Sequence, residues 1–291
     1  MRHLWLLISG LLWAVMMSLL FDREIRPYFE YQRPPSYETV LGGRTQAEVQ
    51  RRVVYFTEGR VRIGESETLI EPQAGGGASL KSRFAMKMSA FTAMKLPEDH
   101  VYLTSDFSVD EKYRLAEFKM DCRFQGIPIT LKGQRQGEKV FVTYNLVLAR
   151  GEKLVELPPD AMLSDSFLPY MGGRGLTEGK KWRIRMVDLS GLLTMGKNQE
   201  LAFSEVFATV EGREVVRAGP REVPCWKVTV REQANDDPEK WAYQLWVDEK
   251  GTVIQQMMKV NRLPCTIVLE EQRMLSPEAA KSHRWRVEPP R

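Results

Sequence analysis

The chain has 291 residues, of which 42 are lysine or arginine and 38 aspartate or glutamate, for a formal net charge of +4. So mixed a surface presents no concentrated basic face, and no nucleic-acid partner is expected. Three histidines and three cysteines leave too little material for a histidine-based hydrolase or a cysteine-rich metal cluster.

The first element is Leu4 to Phe21, LWLLISGLLWAVMMSLLF, an uncharged run directly after Met1, Arg2 and His3. As a helix rising about 1.5 Å per residue it reaches roughly 27 Å, close to the hydrocarbon thickness of a bilayer. A secretory signal has a shorter apolar part and ends in small residues. This run ends Met16-Met17-Ser18-Leu19-Leu20-Phe21 and turns charged at Asp22-Arg23-Glu24, so an uncleaved anchor over residues 1–25 is expected rather than a cleaved signal. No cysteine follows before Cys122, which excludes an N-terminal bacterial lipoprotein. Arg2 and the amine on one side face Arg23 and Arg26 on the other, so flanking charge does not set the orientation.

Residues 26–51 read as an irregular spacer, broken by Arg26-Pro27, Arg33-Pro34-Pro35 and Gly42-Gly43. Tyr28, Phe29, Tyr31 and Tyr37 suit either the headgroup zone or the edge of a domain. Strand periodicity then runs through residues 52–149. Val53 to Thr57 and Arg60 to Ile70 form a hairpin, and Gly75-Gly76-Gly77 breaks the chain without the trailing Gly-Lys-Ser/Thr of a phosphate loop. Ser79 to Met94 places Phe84, Met86, Met88, Ala90, Thr92 and Met94 on one face. Val101 to Val109, Tyr113 to Phe124, Ile127 to Gln134 and Lys139 to Leu148 alternate likewise.

The period is lost over residues 150–181. There Pro158-Pro159-Asp160 offers a helix start and Gly172-Gly173-Arg174-Gly175 an end, so the segment is expected to connect two β halves. The second half, residues 182–275, resumes at Trp182, Ile184 and Met186, and a tail of residues 276–291 opens on a capped turn at Ser276-Pro277-Glu278. Lys281 to Arg291 carries four basic residues and one acid, which suits a solvated tail or a contact with anionic headgroups. The expected fold is therefore all-β: a large antiparallel meander curling into an open or partly closed barrel, with one N-terminal transmembrane helix and few short helices.

Chemistry is sparse. His3, His100 and His283 assemble no Ser-His-Asp or Cys-His set, no G-x-S-x-G occurs, and the spacing of Cys122, Cys225 and Cys265 fits no metal site. A bridge between Cys225 and Cys265 is conceivable, but two strands intervene. Asp236-Asp237 is turn composition, and Glu270-Glu271 points to opposite faces of a strand. A non-catalytic protein without cofactor or metal is expected. What remains is a soft apolar inner face, with Phe84, Met86, Met88, Phe107, Trp182, Met186 and Trp246 as candidate lining for an acyl chain. The same residues also suit an ordinary filled core.

Pro224-Cys225-Trp226-Lys227-Val228, Trp246-Val247-Asp248 with Gly251, then Ile254, and the earlier Gly59-Arg60-Val61-Arg62-Ile63-Gly64 carry a resemblance. Over Val53 to Arg273 the chain resembles a family of uncharacterised bacterial envelope proteins with a curved, partly open β-barrel. That family is similar in architecture to the periplasmic lipoprotein carrier and its outer-membrane receptor. The resemblance implies a fold and a compartment, with the domain facing the periplasm; the uncleaved anchor, in which the chain departs from that family, makes the expectation a bacterial inner-membrane protein with one span. With the apolar face, it leads to an envelope protein that binds a lipid, acyl chain or lipoprotein-like ligand, with a possible partner protein in the envelope. A scaffold with a filled core, acting through protein contacts at the membrane, is the alternative.

Overall fold

Alternation decides the strands: in Ala78–Lys87, residues Ala78, Leu80, Ser82, Phe84 and Met86 are buried while their neighbours face outward. The computed structural model describes residues 2–32, 37–57, 61–89, 100–124, 126–145, 150–156, 161–162, 175–187, 203–234, 237, 239–260 and 263–287. One wing consists of β1 (Ala47–Phe56), β2 (Val61–Pro72), β3 (Ala78–Lys87), β4 (His100–Val109), β5 (Leu115–Phe124), β6 (Ile127–Gln136), β7 (Lys139–Asn145) and β8 (Arg150–Glu156). The other consists of β9 (Ala161–Met162), β10 (Lys181–Val187), β11 (Phe203–Ala218), β12 (Arg221–Arg231), β13 (Tyr243–Val247), β14 (Val253–Val260) and β15 (Leu263–Leu275).

The fifteen strands form one sheet in the order β8-β7-β6-β5-β4-β3-β2-β1-β15-β14-β13-β12-β11-β10-β9. The chain therefore enters in the middle, meanders out to one edge, crosses to the other edge, and meanders back until β15 pairs with β1. That seam runs antiparallel from Ala47 opposite Leu275 to Phe56 opposite Cys265, with a bulge between Arg51 and Arg52. Further bulges at Val54/Tyr55, Ser108/Val109, Val210/Gly212 and Trp246/Val247 add local twist. Two-residue β9 pairs parallel on the edge of β10, as does the isolated bridge from Gln32 to Trp182.

The sheet curls. Val155 of β8 and Trp182 and Ile184 of β10, at opposite ends of the strand order, share one cluster with Leu80, Phe107 and Val228. Among the described residues β8 pairs with neither β9 nor β10, so the sheet stays open and no barrel closes. Phe118 lies over Gly133 across the β5–β6 pair, where any Cβ would strike its ring. The triglycine loop has Gly77 at positive φ and closes on itself, through Gln73 N–H to Gly77 O and Gly76 N–H to Gln73 O.

Helix α1 (Arg2–Leu20) runs through a π turn (Phe21–Ile25) into α2 (Arg26–Glu30), and α3 (Tyr37–Leu41) follows. The expectation of an irregular chain after the anchor is thus corrected. Arg26 pairs with Asp22 at 3.5 Å and Glu30 at 3.8 Å, one helical turn on each side, and Pro27 sits in the first turn of α2, where its missing N–H costs nothing. Side chains of α1 are described from Ile8 onward and all are exposed. Among the described residues no helix is long and apolar enough to cross a membrane.

Past α2 the chain is pinned. Gln32 bridges the edge of β10, its N–H donating to Lys181 O at 3.0 Å and its O accepting from Arg183 N–H at 3.2 Å. Lys181 Nζ donates to Glu30 at 2.7 Å and holds that carboxyl below its ordinary value, while Tyr31 meets Phe207 edge to face.

The first strand begins at Ala47, ahead of the expected Arg52. Its start is drawn into the sheet by α4 (Pro277–Lys281), capped by Ser276, whose Ala280 packs with Ala47, Val49 and Leu69. The tail as far as Val287 lies on the sheet rather than in solvent. Arg286 N–H donates to Glu67 Oε2 at 2.7 Å, and Arg83 stacks over Trp285 at 4.8 Å. His283 Nε2 stands 3.3 Å from Glu67 Oε1, off the line of a hydrogen bond. None of Cys122, Cys225 and Cys265 is in a disulfide, and burial pushes the thiols of Cys225 and Cys265 up to about 12 and about 11.

Candidate functional site: a polar belt between two apolar clusters

On one face of β1 the buried side chains are polar. Glu48, Gln50 and Arg52 stand at successive inward positions and are 1%, 5% and 4% exposed. A buried charge without partners costs several kcal/mol, so these side chains must satisfy one another. They do so as a ladder. Arg44 Nη1 and Gln50 Nε2 both donate to Glu48, Gln272 Nε2 from β15 donates to Glu48 Oε1 at 2.6 Å, and Arg52 Nη2 donates to Gln50 Oε1.

The register extends this polar level across the first wing. Arg52 lies opposite Ser66 and Gln50 opposite Thr68; Thr68 lies opposite Ser82, and Ser82 opposite Ser105. All four hydroxyl residues are buried, and Thr68 Oγ1 donates to Ser82 Oγ at 3.5 Å. On β14 across the seam, Gln256 is buried beside Ile267.

Two apolar clusters flank the belt. Along β2, β3 and β4 the sequence passes from Ile70, Leu80 and Phe107 on one side, through the hydroxyls, to Ile63, Phe84 and Leu103 on the other. The first side belongs to the large core that joins both wings. The second is a smaller cup of Val54, Ile63, Phe84, Met86, Met258, Cys265 and Ile267, with Phe56, Met88, Leu103 and Tyr243 half-buried around it. The cup lies at the strand ends where Val61 and Leu263 are exposed. Between belt and core, under α3 and the turn before β14, is a cavity of about 30 Å³ lined by Arg44, Gln50, Arg52 and Thr68 together with apolar Leu41 and Leu80. A separate open cleft of about 400 Å³ lies on the first wing between Arg114 and Arg135. Arg114 is committed to Asp110 there, and Arg135 donates to Leu115 O.

The seven candidate lining residues separate. Phe84, Met86 and Met88 come together in the cup. Phe107 and Trp182 belong to the large core, where Trp182 is 0% exposed and its Nε1 has no partner among the described residues. Trp246 packs elsewhere, with Val216, Cys225, Ile254 and Leu269, and donates through Nε1 to Glu214 at 2.7 Å. The Met186 side chain and residues 90–94 lie outside the described residues, as do the glycine cluster at 172–174 and Asp236.

Sequence reasoning missed Glu48, Gln50 and Arg52, because residues 26–51 read as an irregular spacer and strand periodicity reads only from residue 52 onward. A signal did exist at Ser82, whose hydroxyl occupies an inward position between Leu80 and Phe84.

No protein family model and no curated protein sequence matches the chain. Solved structures do resemble it. A β-barrel-like protein of a domain of unknown function from Brucella abortus is 9% identical with a TM-score of 0.47, over 80% of this chain and 99% of that one. The hypothetical lipoprotein YmcC from Escherichia coli is 13% identical with a TM-score of 0.26, over 88% and 94%. A protein from Pseudomonas aeruginosa is 13% identical with a TM-score of 0.36, over 65% and 87%. These likenesses are distant, and function has to be argued from this chain's own geometry.

Proposed function

We propose that the chain is a non-catalytic, membrane-tethered envelope protein whose curved sheet holds the acyl chain of a lipid or lipoprotein. The observation that carries this reading is the cup: soft methionines and phenylalanines gathered at one end of the inner face, half-buried at a rim that exposes Val61 and Leu263. Unbranched thioether side chains repack around irregular apolar partners at low cost. The tether is supported by α1, where Leu11, Leu12, Trp13, Val15, Met16, Leu19 and Leu20 are all exposed. A helix apolar all round belongs in a larger apolar phase. Insertion of this exposed apolar helix into the inner membrane, with the sheet on the periplasmic side, is the tether we propose; no described helix is by itself long and apolar enough to cross. The pinned exit at Gln32 and Lys181 would hold the second wing close to the bilayer.

The test keeps the full chain in its own membrane and applies a photoactivatable long-chain hydrocarbon. Adducts on peptides covering 78–87 and 253–260 are expected. Adducts confined to residues 2–21 would overturn the ligand reading. They would leave the scaffold, which the large core favours because it is filled by strands of both wings.

A further inference from the structure

The cup accounts for an apolar chain and leaves the belt beside it unexplained. Both charged groups lining the cavity below the belt, Arg44 and Arg52, are cationic, and no carboxylate lines it among the described residues. The nearby carboxylate, Glu48, already accepts hydrogen bonds from Arg44, Gln50 and Gln272. Directly opposite Arg52, Ser66 is 1% exposed and its Oγ has no hydrogen-bond partner among the described residues. Leaving such a hydroxyl unpaired costs about 1–3 kcal/mol, which a fold accepts where the group has a use.

We propose that the belt is the head-group site for the chain held in the cup, and that the head it takes is a carboxylate. The inference rests on the acyl-binding reading of the cup and adds its polar end. A guanidinium presents a planar fork that matches a carboxylate, and desolvation strengthens the pair. The cavity of about 30 Å³ beside Arg52, Gln50 and Thr68 has room for a group of carboxyl size and none for the chain behind it. The chain has to run the other way, from Ser66 toward Val61, a path of ~17 Å over five residues of extended strand. Phe84, Met86 and Met258 lie along it and have to move aside for it. Ser66 does not line the cavity but stands opposite Arg52 on its cup side, where a carboxylate shared with Arg52 would supply the acceptor it lacks.

The experiment uses the full chain in phosphatidylcholine nanodiscs, with photoreactive palmitate and photoreactive hexadecanol as paired probes and empty nanodiscs as background. Adducts are quantified on the 61–72 and 78–87 peptides. Palmitate is expected to label at least about tenfold more than the alcohol, the worth of one charge-assisted hydrogen bond. Arg52→Gln is expected to abolish the preference and Arg52→Lys to keep part of it. Ser66→Ala, which is expected to fold whatever Arg52→Gln does, lowers palmitate labelling about threefold. Equal labelling by acid and alcohol overturns the head-group site and leaves the cup intact. Absence of strand adducts from either probe overturns both. Displacement of palmitate by acetate at equal concentration overturns the assignment to a chain head, since the site would then serve a free anion.

Discussion

The two apolar clusters of the inner face are built from different side chains. The large core is mostly valine, leucine and isoleucine from strands of both wings, closed by Phe107, Phe118 and Trp182 and by Tyr37 and Leu41 of α3, and it holds no buried methionine. The cup mixes Val54, Ile63 and Ile267 with Phe84, Met86, Met258 and Cys265, has a half-buried ring around them, and draws on the strands next to the β1–β15 seam. Branched side chains hold few rotamers and so specify one packing, whereas methionine tolerates several. Stability is therefore concentrated in the first cluster and adaptability in the second, with the charged ladder of β1 as the partition between them.

The largest effect should come from the core. Trp182→Ala removes a fully buried ring and is expected to cost about 3–5 kcal/mol in chemical denaturation. Glu48→Gln tests the partition. It leaves Arg44 and its neighbours without their shared carboxylate, and an expected loss of about 3 kcal/mol reflects a buried cation deprived of its partner. The cup should be the forgiving region, so Met86→Leu is expected to cost less than about 1.5 kcal/mol. If Met86→Leu proves as costly as Trp182→Ala, the cup is a specified core and the contrast disappears.

Alkaline titration sharpens the same contrast. The folded-state pKa of Cys265, in the cup, is raised to about 11 by burial alone, from an ordinary 9.0. The contribution of a group raised in this way is complete below 9.0 and is lost as pH rises through about 11, at about 1.4 kcal/mol per pH unit. Cys265→Ala should flatten that part of the stability profile measured by thermal unfolding.

The meander was legible because residues of strands such as Tyr113 to Phe124 keep strict period two and the turns between them carry glycine or aspartate. The continuation of the wings into one sheet was not, since the β1–β15 pair joins residues more than two hundred positions apart and no local pattern records it. The helical exit after Phe21 was hidden by Pro27, which reads as a breaker but sits where a helix accepts it. Of the site, Phe84, Met86 and Met88 could be placed together because they share one strand and one parity. Phe107 and Trp246 could not be assigned to a cluster, because which cluster an inward residue joins depends on how the sheet curls.

Trp246 supplies the smallest expected effect and the most discriminating one. Its indole N–H donates to the Glu214 carboxylate, and Lys227 Nζ stands 3.1 Å from the same group. The indole hydrogen bond first, and Lys227 after it, hold the Glu214 carboxyl below its ordinary 4.5. A depressed carboxyl stabilises the fold above its unfolded value and loses that contribution as pH falls, so Trp246 emission should change only on acidification below about 4.5. Glu214→Gln should abolish that change. Trp246→Phe keeps an aromatic ring among Val216, Cys225, Ile254 and Leu269 and forfeits one hydrogen bond, an expected loss of about 1 kcal/mol. Because this cluster shares no buried member with the cup, labelling of the 78–87 peptide by a hydrocarbon probe should be the same in Trp246→Phe as in the native chain. A several-fold drop there would mean that the ligand surface continues past the seam into the second wing, and the division of the inner face into one fixed and one adaptable cluster would have to be redrawn.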